Sequence, residues 1–343
     1  MKIEAGNTFS ADLHIHLIGR GGTRSPGEIV KDVASSRIPL GVFATPSYHE
    51  LHPYTFDVTR DKATKSGLVV LPAVEINTPW GHVELIPRPD NDTVLERFSE
   101  EVPKHNNGLT MPNELITKMW EEFGAIAILT HGQPEGPFAR WVHGMTTAHM
   151  EQLLVELRAK EIMAPIGIEQ LSGETDKLCG RWNALRIPAL KATVDNLKLA
   201  GMKVSGMSGS DDHGHTLGEY RTTWVASQMV NTDVGIFDNL SQAILDGETK
   251  PETISGNINT LRWAGAVLRI GFNHVIPRIE KKLLDRGILS ADLLKRINPL
   301  RTYLFLTGQT TKEGRTWLNE IQANRNYQFP SPALQLATAL GGD

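Results

Sequence analysis

Ala11-Asp12-Leu13-His14-Ile15-His16-Leu17 is the stretch on which the reading of this chain turns. Apolar and polar residues alternate along it, the pattern of a half-buried β-strand. Alternate side chains of a strand share a face, so Asp12, His14 and His16 are expected to point the same way. Two imidazoles about 7 Å apart on one face can grip a single metal ion. Taken alone, the pair is more simply read as two hydrogen-bonded core histidines, and the rest of the chain has to decide.

Short apolar runs bounded by Gly, Pro or polar residues recur at residues 40–45, 68–76, 82–86, 125–130, 166–170, 203–206 and 222–226. They read as strands. Amphipathic stretches at 26–36, 112–123, 147–160 and 182–200 read as helices between them. This alternation predicts an α/β protein with a parallel sheet, either a barrel or a doubly wound fold. Residues 88–109 are polar and carry Pro and Asn, so they are expected to form an irregular insertion or lid. From Asn257 the pattern turns helical, at 260–271, 277–286, 290–297 and 312–323. The expected organisation is a body over 1–256 and a helical C-terminal appendage over 257–343.

Composition narrows the classes. A chain of 343 residues with 40% hydrophobic and 22% charged content can bury a core without staples. Its single cysteine, Cys179, excludes an intrachain disulfide and a zinc-thiolate cluster. No apolar run reaches the length of a membrane span, and the first residues lack an apolar signal core. A cytoplasmic location without membrane attachment is therefore expected. The net charge of −4 is unevenly spread, because residues 257–343 hold twelve Lys/Arg against six Asp/Glu. Such a basic tail is either a solvated face or a surface for nucleic acid or an acidic protein partner.

The histidine pair does not stand alone. Glu75 sits inside the apolar run Val74-Glu75-Ile76, where an unpaired charge is costly and a nearby cation would remove the cost. His82 opens the next run. His131 follows Ala125-Ile126-Ala127-Ile128-Leu129-Thr130, at the end of a buried strand. Gly209-Ser210-Asp211-Asp212-His213 follows another. Candidate ligands thus gather in or at the mouths of consecutive strands, and in β/α barrels the C-terminal rim is where function collects. That pattern implies a metal site.

Taken in order, His14-x-His16, the strand-borne Glu75, Gly81-His82, Thr130-His131-Gly132 and Gly209-Ser210-Asp211-x-His213 resemble the polymerase-and-histidinol-phosphatase (PHP) family. Gly167-Ile168-Glu169 resembles a non-ligand strand of that family. So does Leu217-Gly218-Glu219-Tyr220-Arg221-Thr222-Thr223-Trp224-Val225, and the likeness extends over residues 9–255. The resemblance implies a distorted seven-stranded (β/α) barrel whose multinuclear metal centre hydrolyses phosphoesters. It assigns His14, His16, Glu75 and Asp211 to one metal, and a bridging Glu75 with His82 and His131 to a second. His213 would complete a third position or act beside the leaving group, so Asp211 and His213 are the residues expected nearest the chemistry.

Two departures stand out. The family's Thr-Asp-His motif reads Thr45-Pro46-Ser47 here, and the histidine that often follows the first pair by six residues is Gly22. Two divalent ions are then expected, with the third site depleted unless His49 refills it. Imidazole with carboxylate suits Zn, Mn and Fe alike. His49-Glu50-Leu51-His52 has the wrong spacing for a zincin motif, and Pro53 disfavours a helix continuing there. His52 is therefore read as a surface or loop histidine.

No G-x-S-x-G elbow, P-loop or dinucleotide fingerprint occurs, which agrees with an activated water rather than a protein nucleophile. Phosphate oxygens are expected to meet Arg20 and Arg24 in the glycine-rich Gly19-Arg20-Gly21-Gly22-Thr23-Arg24, and Arg140 after His131. The leading reading is a phosphoesterase acting on a phosphomonoester or a nucleic-acid phosphodiester. A binuclear amidohydrolase also uses an early His-x-His and a late Asp, but fits Glu75 and Asp211-x-His213 less well. A catalytically weakened PHP module serving as scaffold or regulator is the third reading, resting on the altered second motif.

Overall fold

Alternation in the sequence becomes two separate hydrophobic layers in the computed structural model. It describes residues 4–17, 22, 24–35, 41–48, 50–106, 108–133, 144–173, 175–176, 183–212, 217–227, 230, 232–253, 312–324 and 326–328. The elements run β1 (Thr8–Asp12), α1 (Pro26–Ser35), β2 (Val42–Tyr48), α2 (Pro53–Lys65), β3 (Val69–Thr78), β4 (Gly81–Ile86), α3 (Asp92–His105), α4 (Pro112–Phe123) and β5 (Ile126–Leu129). They continue α5 (Thr147–Ala159), β6 (Ile166–Ser172), α6 (Asn183–Leu199), β7 (Val204–Gly209), β8 (Tyr220–Val225), α7 (Asp233–Leu245), β9 (Lys250–Thr253) and α8 (Lys312–Ala323).

The nine strands of the described residues form one sheet in the order β7-β6-β5-β4-β3-β2-β1-β8-β9. Pairing is parallel except around β4 and β8, which run antiparallel to both their neighbours. The two ends of the sheet approach each other. Thr222 Oγ1 donates to the Ser208 carbonyl at 2.8 Å, and Thr249 Oγ1 to that of Gly206 at 2.7 Å. Beyond β1 and β7 the chain pairs again, with Ile15 bridging Asp212 in parallel. The barrel is therefore nearly closed. Its described strands number nine, where the resemblance implies seven.

Residues such as Val70, Val74, Leu85, Leu129 and Ile168 face the helices and join one buried cluster. Phe9, Val42, Leu71, Ile126, Ile128 and Met207 join a second, sealed by Ile236, Phe237 and Leu240 of α7. Successive residues of one strand feeding different clusters is the period-2 rule at work. Above this apolar floor the same inner face turns polar.

Two helices were not foreseen. Residues 88–109 carry α3 rather than an irregular insertion. Asn91 caps it by accepting from the Val94 N–H at 3.0 Å, and Leu95, Phe98 and Val102 are buried. Helix α2 begins at Pro53, a residue suited to the first helical turn. His52 is no surface residue but its buried N-cap, taking the Thr55 N–H on Nδ1 at 3.4 Å. The buried side of α2 is Thr55, Phe56, Thr59 and Ala63, too polar to show as an apolar stripe. Of the C-terminal region, α8 packs on the barrel wall: Trp317 stacks on Tyr54, and Ser25 Oγ donates to Glu313 Oε1 at 3.1 Å. The other helices expected after residue 257 lie outside the described residues. No described helix is long and apolar enough to cross a membrane.

Candidate metal centre

Strand parity delivers one set of ligands. In β3, Leu71 and Ala73 face the inner cluster, and Glu75 is next on that side. In β4 the parity of Ile86 leads to Glu84 and His82. Glu75 and Glu84 are register partners across the hairpin. In β6, Gly167 lies against Met207 and the same parity brings Glu169 inward.

His14, His16 and His131 need the backbone to break that parity, whereas Asp211 follows Met207 and Gly209 on the inner side of β7. Strand β1 ends at Asp12, so the shared face of Asp12, His14 and His16 does not form. Leu13 joins the inner apolar cluster with Phe9 and Ala11, while Asp12 turns aside. Its carboxylate accepts the Ser210 N–H at 2.9 Å and the Gly218 N–H at 3.3 Å, tying the first strand to the turns after β7. Burial pushes its pKa up to about 7 despite those bonds. His131 and Asp211 both lie in the left-handed region, at φ 52° and 46°. That conformation is costly for a residue bearing a Cβ and clusters at functional sites. At His131 it swings the side chain out of the strand pattern and into the centre.

Five side chains from four places in the chain then converge. His14 Nε2 lies 3.1 Å from His16 Nε2, 3.6 Å from Asp211 Oδ1 and 3.7 Å from Glu75 Oε1. His16 Nε2 is 3.4 Å from Asp211 Oδ1 and 3.5 Å from Glu75 Oε2. On the other side, Glu75 Oε1 stands 3.0 Å from His131 Nε2 and 2.8 Å from His82 Nδ1. Two compact donor groups result, His14 with His16 and Asp211, and His14 with Glu75 and His131. All five residues are buried.

The donors fit a divalent cation. Glu75 Oε2 is buried with no hydrogen-bond donor, a costly state for a carboxylate oxygen that a cation would relieve. Neutral imidazole with carboxylate oxygen is the ligand set of Zn, Mn and Fe. Without a cation the carboxylates impose their charge on the rings. Burial alone would lower the His14 pKa, but Asp211, Glu169 and Glu75 outweigh it and hold it well above the ordinary value. The same contest with Asp211, Glu169 and Glu75 raises His131 to about 10. Burial opposes ionisation of Glu75, yet His82, His14 and His131 keep it well below the carboxylate range.

Two further acids were not counted as site residues in the sequence. Glu169 Oε1 is 3.2 Å from His14 Nδ1, and its Oε2 accepts the His131 N–H at 2.7 Å. Glu84 is fully buried, 4.0 Å from His14 Nδ1, and neither carboxyl oxygen has a hydrogen-bond partner. Burial, with Glu169 and Glu75 nearby, pushes its pKa well up. Both share the inner parity of their strands, and that was the signal available for finding them.

Gly22 stands where the family resemblance would place another histidine. A Cβ there would lie 1.8 Å from the His16 carbonyl oxygen, so this backbone leaves no room for a side chain. Arg24, expected to clamp phosphate, instead donates to Asp212 Oδ2 at 2.8 Å and lies 3.4 Å from Asp32 Oδ2, holding the loop after His16 to the turn that carries Asp211. Arg20, His49, Arg140 and His213 lie outside the described residues.

No family model matches the sequence, and no curated protein matches it. Solved structures do. One is a two-domain protein from Bacteroides vulgatus containing a predicted PHP-like metal-dependent phosphoesterase, at 16% identity and TM-score 0.47, covering 75% of this chain and 69% of that one. A protein from Bifidobacterium adolescentis assigned as a metal-dependent phosphoesterase matches at 13% identity and TM-score 0.40, over 67% of this chain and 95% of that one. An amidohydrolase from Chromobacterium violaceum, solved with sulfate and no metal, matches at 14% and 0.40, over 68% and 96%. Within the chain itself, buried His, Glu and Asp side chains form two clusters that could hold a metal ion.

Proposed function

We propose that this protein is a metal-dependent phosphoesterase that attacks its substrate with water. The observation that carries the reading is the convergence of His14, His16, Glu75, His131 and Asp211 on two adjoining donor groups at the barrel rim. A divalent ion held there supplies Lewis-acid charge that polarises a phosphoryl oxygen and activates water. The protein's own part is to hold that charge in a buried, fixed array. His14 belongs to both groups, and Glu75 turns one oxygen toward His82 and His131 and the other toward His16. Among the described ligand candidates His82 is the most exposed, and we read the open side of the centre as lying by the β3–β4 hairpin. The ordered series of motifs favours phosphoesters over amides. The substrate is a phosphomonoester or a nucleic-acid phosphodiester.

Metal content of the purified chain, with turnover of p-nitrophenyl phosphate and its bis-ester, tests this. Two equivalents of metal and ester hydrolysis abolished by His14→Ala and by Asp211→Ala are expected. Less than one equivalent, or turnover of amides and lactones alone, would overturn it. Preference for the diester, with nucleic-acid binding that weakens steeply as salt rises, would select the nucleic-acid substrate.

A further inference from the structure

His131 poses a mechanical problem. It follows the last residues of β5, where a continuing strand would set its side chain outward among the helices. A φ of 52° turns it in, and a residue with a Cβ keeps that conformation only where its surroundings over-determine it.

The His131–Gly132 segment is gripped at both ends. Glu169 Oε2 accepts the His131 N–H at 2.7 Å. Two peptide units further along the chain, Arg186 Nη1 donates to the Gly132 carbonyl at 2.9 Å. Arg186 belongs to α6, is fully buried, and is itself fixed by Asn183 Oδ1 at 3.1 Å and by an ion pair with Asp176. A buried guanidinium gains little stability over an apolar side chain of the same volume, so its retention calls for another reason. The far side of the turn is also confined, since a Cβ on Gly144 would lie 2.0 Å from the His131 carbonyl oxygen. Glu169 does a second job. Its Oε1 is 3.2 Å from His14 Nδ1, which leaves Nε2 of that ring facing Glu75 and Asp211.

We infer that Glu169 and Arg186 are the positioning residues of the metal centre: together they lock the His131–Gly132 turn, and Glu169 also orients His14, so that both rings present Nε2 to the metal. Neither residue needs to touch metal or substrate for this. The inference rests on the metal-centre reading and deepens it, and carboxylates that orient ligating histidines are known to change metal affinity about 10–100-fold.

The test is the number and affinity of Mn²⁺ equivalents, by chelator competition, in the wild-type chain and in Arg186→Met, Arg186→Lys, Glu169→Gln and Glu75→Gln. Arg186→Met is expected to weaken one of two equivalents about 10–100-fold and leave the other near wild type. Lysine, which keeps a donor for Gly132, should recover part of the loss. Glu169→Gln should weaken both equivalents, because two rings lose their anchor, but less than Glu75→Gln, which removes a ligand. The visible spectrum of the Co²⁺ form should shift in the Arg186 variants while the far-ultraviolet dichroism of the metal-free chain does not. Wild-type affinity for both equivalents in folded Arg186→Met and Glu169→Gln would overturn the inference and leave the metal centre standing. If Arg186→Met does not fold, unchanged affinities in Arg186→Lys and Glu169→Gln overturn it equally. A wild-type chain that binds no Mn²⁺ removes the metal-centre reading, and this inference with it.

Discussion

Metal binding by this centre should release protons, and the geometry sets the number. In the metal-free chain, His14 and His131 sit among Glu75, Glu169 and Asp211, at ring-to-carboxylate distances of 3.0–3.7 Å. Those anions hold the His14 pKa well above its ordinary value and lift that of His131 to about 10. Both rings are therefore protonated at pH 7. A metal takes only the neutral ring, so each ion must compete with a proton. The sign is fixed: below the raised pKa values, affinity climbs as pH rises. Two displaced protons give about 100-fold per pH unit in the overall constant for filling both positions, or about 2.7 kcal/mol, at one pKa unit per 1.36 kcal/mol. The dependence should persist across pH 6–8 and flatten only as pH approaches 10. Titration calorimetry with Mn²⁺ at pH 7, in buffers of different ionisation enthalpy, counts the protons directly. Release of about two supports the reasoning. Release of less than one, or affinity independent of pH between 6 and 8, would refute it, because the rings would then already be neutral in the free protein.

Three further outcomes are expected. The metal-free chain should be most stable between about pH 4.5 and 6.5 by thermal melts. The raised His131 contributes fully below its unfolded value and is lost as pH rises through about 10, while Glu169, held near 2 by His14 and His131 against its burial, contributes above its unfolded value and is lost as pH falls through about 2. Both effects belong to one ion-pair cluster, and a melting temperature still rising from pH 7 to 9 without metal would contradict them. Gly209→Ala should weaken metal binding at least tenfold with modest loss of stability, since the new Cβ would lie 2.5 Å from His14 Cβ; unchanged affinity would show that the backbone yields there. Phe237→Ala, in the apolar plug of α7 far below the ligands, should cost about 3–5 kcal/mol in urea unfolding yet leave metal affinity unaltered; loss of affinity in a folded variant would mean that floor and rim are coupled.

The sequence by itself determined the order of elements and the chemical character of the rim. Strand runs at 68–76, 82–86 and 166–170 were legible because apolar residues feed two buried layers in strict alternation. That same parity sends Glu75, His82, Glu84 and Glu169 inward, although only the first two declared themselves as ligands. Helix α2 stayed hidden because its buried face is built from threonines, and α3 because its single turns of Leu95, Phe98 and Val102 are separated by charge. What the tertiary structure alone decided is where parity fails. Asp12 leaves the face it was expected to share with His14 and His16, because distant amides at Ser210 and Gly218 claim its carboxylate. His131 reaches the centre through left-handed backbone that no local pattern announces. Such conformations persist only where contacts from other parts of the chain outweigh their cost, here Glu169 and Arg186 around His131. Gly22 reads in the sequence as a missing ligand. In the fold it is a point where His16 and the returning chain approach too closely for any side chain.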